Sequence, residues 1–174
     1  MDIVQADISG FRFVLTALAK ADHLPFHHKH LMIQDHKDGS RAMATDGSRV
    51  HIYTYDHRKY ETGFYIVTKN KVNAVELIKT DHEGPYPEKE IDKLLRQRPK
   101  NIKVDQMQMG LTGFYTRIAR AMPEEFALDI KYIGDLLPFG NWAGKIVAQE
   151  KKPCRFECKN RMALIMKRII KNGY

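Results

Sequence analysis

The sequence has little of what would tie it to an oxidising compartment or a membrane. Among 174 residues only two are cysteines, Cys154 and Cys158, too few for a disulfide framework, so a reducing cytoplasm is the expected setting. No apolar run approaches the roughly 18 residues needed to cross a bilayer, and no membrane association is expected. Met1 to Gly10 hold two aspartates and no basic n-region, which argues against a secretory signal. Negative charge is in short supply as well: 21 Asp and Glu stand against 29 Lys and Arg, leaving a formal net charge of +8. Excess Lys and Arg recruit polyanions by releasing their counterions, so nucleic acid leads among partner classes. Hydrophobic residues at 43 % and charged residues at 29 % suit a globular domain around one core and exclude a disordered tail.

Catalytic signatures are missing too. There is no P-loop, no GxSxG elbow and no HExxH, so neither an enzyme nor a cofactor is expected. Glu157-Cys158-Lys159 has the acidic-x-Lys form used by metal-dependent nucleases, which set carboxylates on Mg²⁺ beside a lysine. Its further ligand, Asp135, falls on a helical pattern, and a nuclease stands only as an alternative. His23, His27, His28 and His30, with His36 nearby, have no cysteine partners, and Cys154 and Cys158 lack a second pair. No metal site is expected from either group. The two cysteines fall on one face of a strand and read as small core residues.

What is present is an order of elements that occurs twice. Asp2 to Asp7 reads as a strand, Ser9 as a helix cap, and Phe11, Val14, Leu15 and Leu18 as a helical stripe that ends before Pro25. Strand-like runs follow at Leu31 to His36, Arg41 to Thr45 with Ser48 to Tyr55, and Gly63 to Thr68. Asp46-Gly47 joins the middle pair as a two-residue type I′ hairpin. At the other end, Glu125 to Leu128 reads as a strand and Asp129 as the cap of a helix carrying Ile130, Ile133, Leu136 and Leu137, stopped by Pro138 and Gly140. Strands are expected at Lys145 to Gln149, Arg155 to Cys158 and Met162 to Ile169, with Trp142 in a loop at the core edge, where it could stack on a base. Between the two ends, Val72 to Ile78 and Glu90 to Arg98 suggest helices, Gly84-Pro85-Tyr86-Pro87 a loop and Ile102 to Met107 a strand. Phe114 to Met122 suits either conformation.

The run Ala44-Thr45-Asp46-Gly47-Ser48-Arg49-Val50 resembles the Ala-Thr-Asp-Gly-His-Arg-Leu run of bacterial DNA sliding clamps, the beta subunits of DNA polymerase III. Ser48 stands where that family has His, and Val50 where it has Leu. Ile66-Val67-Thr68-Lys69 leading into Val72 to Ile78, Phe126 to Leu137, and the closing run Ala163 to Ile169 are similar to further clamp segments. The closing run lacks the family's Pro. Residues 69–124 are left unmatched. The resemblance implies an α+β, DNA-clamp-like fold over a single domain, residues 1–174. Two strand–helix–three-strand half-units, about 1–68 and 125–171, would flank a central insertion at about 69–124. It also implies sequence-independent binding of double-stranded DNA as a processivity or adaptor factor. Arg12, Lys20, Lys29 and Lys131 would meet phosphates, with the loop Phe26 to His30 at a DNA-contacting position. A homo-oligomer of several copies would be needed to close a ring. In that family the hairpin and the C-terminal strand border one hydrophobic cleft, into which a polymerase or another clamp-binding protein docks a short motif. Its counterparts here are Thr45, Gly47, Arg49, Val50, Met166 and Arg168. An interaction module that kept the fold without DNA binding, an inhibitor or decoy of a replication clamp, is the other alternative.

Overall fold

A computed structural model of the chain describes residues 5–20, 23–37, 39–82, 84, 86, 88–96, 104–105, 110–122, 126–140, 142–145 and 152–169. The chain divides into two compact units, residues 1–86 and 87–174. In the first, α1 (Gln5–Leu15) buries Ile8, Phe11, Val14 and Leu15, while Ser9 and Arg12 lie on the opposite side. Its end tightens into i→i−3 bonds, Thr16 N to Phe13 O at 3.2 Å and Ala17 N to Val14 O at 3.0 Å, and the helix goes no further. Pro25 precedes the single turn α2 (Phe26–Lys29). Five strands follow: β1 (Leu31–His36), β2 (Gly39–Thr45), β3 (Arg49–Tyr55), β4 (Gly63–Lys71) and β5 (Ala74–Lys79). They pair antiparallel in the order β5-β4-β1-β2-β3, and α1 packs on β2 and β3.

Two expectations are corrected in this unit. Residues 5–7 are helical rather than strand, and residues 2–4 lie outside the described residues. Asp7, 3 % exposed, accepts hydrogen bonds from the Tyr53 hydroxyl at 3.1 Å and the Tyr60 hydroxyl at 3.4 Å. The hydrogen-bond donors that satisfy this carboxylate inside the core come from side chains far along the chain, which a local pattern does not register, and Ser9 becomes an interior helix position. Val72 to Ile78 is not a helix either. Val72 and Asn73 form a turn into β5, where buried Val75 and Leu77 alternate with Glu76 and exposed Ile78. That alternation is the strand period of two, satisfied by pairing with β4.

The second unit opens with α3 (Glu88–Leu95), whose Leu95 carbonyl accepts from Arg155 Nη1 at 3.0 Å. After β6 (Val104–Asp105) comes α4 (Gly110–Ala121), with Phe114, Ile118 and Met122 recurring every fourth residue on its buried side. Then follow β7 (Phe126–Ala127), α5 (Ile130–Gly134), a 3-10 turn over Leu137–Phe139, β8 (Ala143–Lys145), β9 (Cys154–Cys158), β10 (Arg161–Ile165) and β11 (Arg168–Ile169). β10, β9, β8 and β6 form one antiparallel sheet in that order, and β11 pairs with β7. Asp129 caps α5 as read from the sequence, its Oδ1 accepting from Lys131 N at 3.0 Å. The closing run is two strands rather than one, interrupted at Met166 and Lys167. Trp142 is fully buried and its indole N–H donates to the Leu136 carbonyl at 2.8 Å, so it is a core residue and has no face for a base. Of the segment read as an insertion, residues 69–86 belong to the first unit and 87–124 to the second. The parts of the strand expectations at 102–103, 106–107, 125 and 146–149 lie outside the described residues.

Candidate functional site

Thr45 pairs with Val50, so the β2–β3 connection runs over Asp46 to Ser48, ahead of Arg49 at the start of β3, rather than as a two-residue type I′ turn. The Asp46 side chain replaces a cross-strand partner: its Oδ1 accepts from Ser48 N and from Arg49 N, both at 3.0 Å. Thr45 Oγ1 accepts from Gly47 N at 3.0 Å and donates to Arg49 O at 2.7 Å. Arg49 is nearly buried, with Nε on Asp46 Oδ2 at 3.1 Å and Nη2 on the Thr16 carbonyl at the end of α1. Gly47 has φ +86°, and a Cβ there would stand 2.9 Å from His28 Cε1. The loop is therefore clamped on both sides, by Thr16 and by His28. Tight two-residue turns do occur, at Lys37 (φ +51°) between paired His36 and Gly39, and at Lys159 (φ +51°) between paired Cys158 and Arg161.

The cations expected to meet phosphate fall as follows. Arg12 is partly buried on the outer side of α1; Lys20, expected on a helix, is exposed in the segment beyond it; Lys29 ends α2. Ala19 N donates to His28 O at 2.8 Å, which ties the segment carrying Lys20 to the turn carrying Lys29. The structure thus brings Lys20 and Lys29 into one joined segment of the first unit. Lys131 is exposed on α5 in the second unit. Arg117 and Arg120, exposed one turn apart on α4, were not singled out from the sequence, because Phe114 to Met122 gave no decision between helix and strand; Phe114, Ile118 and Met122 at a spacing of four were the signal.

Of the residues matched to the cleft, Thr45 and Arg49 are buried, Gly47 is exposed and Val50 partly buried, all in the first unit. In the second, Met166 is 37 % exposed, and Arg168 Nη2 lies 3.0 Å from Asp129 Oδ2. Asp129 therefore serves both the α5 cap and Arg168, while Lys167 sits 4.7 Å over the Phe126 ring. Glu157 is ion-paired with Arg155. Cys154 and Cys158 are buried free thiols, and burial raises the Cys154 pKa to about 12. Among the described residues no group of three or more His, Cys, Asp or Glu is placed to hold a metal ion, and no helix is long and apolar enough to cross a membrane.

Helices set against antiparallel sheets in this order define a mixed α+β protein with the fold of the DNA sliding clamps. The structural likeness extends over nearly the whole chain. The DNA polymerase III beta subunit of Thermotoga maritima matches 98 % of this chain and 65 % of its own length, with a TM-score of 0.66 and 12 % identity. The beta subunit of Borrelia burgdorferi, solved with a natural product, matches 98 % of this chain and 64 % of its own length, at a TM-score of 0.64 and 12 % identity. The DNA polymerase sliding clamp of Bacillus subtilis covers 100 % of this chain with 64 % of its own, at a TM-score of 0.58 and 11 % identity. The chain thus spans a little under two thirds of the length of these clamps. No protein-family model matches the sequence, and no curated protein sequence does.

Proposed function

We propose that this chain is a non-enzymatic, sliding-clamp-like protein of the cytoplasm that binds double-stranded DNA without sequence preference, as a processivity or adaptor factor. The observation that carries the reading is the segment from Arg12 to Lys29, which holds three cations outside the core of a clamp-fold chain with net charge +8. Lysine and arginine there meet phosphates as charges and need no base contact, so they supply affinity without sequence preference. Lys131 contributes in the same way from α5. The chain acts as a single clamp-like domain, and encirclement of DNA requires a homo-oligomer. Replacing Arg12, Lys20, Lys29 and Lys131 together by Glu is expected to abolish duplex binding in a filter or anisotropy assay while leaving the thermal unfolding midpoint within a few degrees. Affinity equal to that of the unmodified protein would put the DNA surface elsewhere.

A second reading, a clamp-fold interaction module without DNA binding, is favoured by the exposed apolar side chains of Ile130, Met166 and Ile169. Thr45, Gly47, Arg49, Val50, Met166 and Arg168 would then be the residues that meet a polymerase or another clamp-binding protein. Val50→Arg should weaken such a partner and spare DNA. Absence of duplex binding at low salt would select this reading over the first.

A further inference from the structure

We propose that the outer face of the His82 ring is a stacking platform for an unpaired base, so that the chain holds single-stranded DNA at a site of its own, beyond the duplex contacts proposed above. The site is the end of a column of rings. Phe26 of α2 lies 3.6 Å from His30 between ring centres, with the planes 11° apart, and 3.7 Å from His82, at 34°. Two rings this near the centre of a third cannot share one of its faces. His30 and His82 therefore cover opposite faces of Phe26, and the column runs His30, Phe26, His82. Phe64 of β4 braces it from the side, with its centre 5.3 Å from that of Phe26 and 5.6 Å from that of His82, steeply inclined to both. All of these rings belong to the first unit.

Phe26 is closed to a base, because both its faces are taken. At one end of the column His30 is only partly exposed, and its Nδ1 lies 2.8 Å from the Phe26 carbonyl. At the other end His82 has one face against Phe26 and its side toward Phe64, and its Nε2 is so near Gly84 that a Cβ there would collide with it. His82 is nevertheless exposed, so the surface that solvent reaches is the face turned away from Phe26. A base laid on that face continues the column, whose spacings of 3.6 and 3.7 Å are close to the roughly 3.4 Å rise of stacked bases. The ring is already held in place, so little side-chain freedom is lost on binding. Bases inside a duplex are covered on both faces by their neighbours, which makes the ligand a single strand, whose bases can splay out. Cations for its phosphates are at hand: Lys29 precedes His30, and Lys20 is tied to the same turn by Ala19 N donating to His28 O at 2.8 Å. Asp81, exposed next to His82, repels phosphate, so the strand's backbone passes on the lysine side. Stacking on a π face reads no base edge, and binding is tolerant of sequence.

The test uses the full chain and an end-labelled single strand of about ten nucleotides with one 2-aminopurine in its middle, at low salt. Anisotropy of the label reports binding, and quenching of the 2-aminopurine reports stacking. The unmodified protein is expected to bind and to quench. His82→Ala should weaken single-strand binding about tenfold and remove the quench, with duplex affinity unchanged. His82→Phe, which keeps a ring, should restore both, and His82→Lys, which supplies charge without a ring, should restore neither. No single-strand binding by the unmodified protein, an undiminished quench in His82→Ala, or rescue by His82→Lys overturns the proposal. Duplex binding is measured separately and stands or falls by itself. If His82→Ala does not fold, NMR of the unmodified protein decides: an upfield ring-current shift of the His82 imidazole protons on adding the oligonucleotide supports stacking, and unchanged resonances refute it.

Discussion

Gly47 and His51 show how single residues fix the loop that the sequence picked out. An alanine at Gly47 would hold an unfavourable φ of +86° and press its Cβ to within 2.9 Å of His28. Gly47→Ala is expected to lower stability by about 1–3 kcal/mol, measured as a shift in denaturant midpoint. His51 is stacked on Phe13 at 4.5 Å, with Nδ1 3.1 Å from the Phe13 carbonyl and 2.9 Å from Thr16 Oγ1. Burial depresses its pKa to about 3, assisted by the charge of Arg49 and opposed by the Phe13 carbonyl. The unfolded chain takes up this proton near pH 6.5 and the folded chain does not until about 3. Its contribution is therefore intact above 6.5 and declines as pH falls toward 3, by up to ~1.4 kcal/mol per pH unit. His51→Phe should lower stability modestly at pH 7, because the Phe13 carbonyl loses one donor but keeps Thr16 N and Thr16 Oγ1, yet flatten the acid limb between pH 6 and 4. Parallel acid limbs in urea titrations of the two proteins would contradict the assignment.

At the scale of elements, β5 separates two ways of reading the same residues. Leu77 is fully buried and Ile78 is 55 % exposed, one step apart on opposite faces. Leu77→Ala should cost about 2–5 kcal/mol and Ile78→Ala less than ~0.5 kcal/mol, by thermal or chemical denaturation. A helix carrying Val75 and Ile78 on its inner stripe would give Ile78 the larger cost. The elements legible in the sequence were those fixed locally. Asp129 capped α5 because a cap needs only the next turn, and β3 and β4 declared themselves by β-branched and aromatic residues following turn residues. What was not legible depended on distant partners. Asp7 is stabilised in a helix by Tyr53 and Tyr60, more than forty residues away. The Asp46 loop was located correctly, but its form depends on the Asp46 carboxylate capping two amides and on Arg49 reaching Thr16. Lys37 and Lys159 adopt positive φ in tight turns, a conformation that lysine does not advertise.

For the molecule as a whole, the clamp fold is kept at 12 % identity with the Thermotoga and Borrelia beta subunits. Core positions are constrained by face and volume rather than by identity, so such a fold outlasts most of its sequence. Under the reading proposed above, the formal net charge of +8 is the feature that favours a polyanion as partner. The measurement closest to this claim is titration of a fluorescent random-sequence duplex with the unmodified protein at pH 7.5 across a series of salt concentrations. The account predicts binding at low salt, indifferent to sequence, whose log K falls linearly with log salt. No binding at about 50 mM salt, or an affinity that does not change with salt, would contradict it.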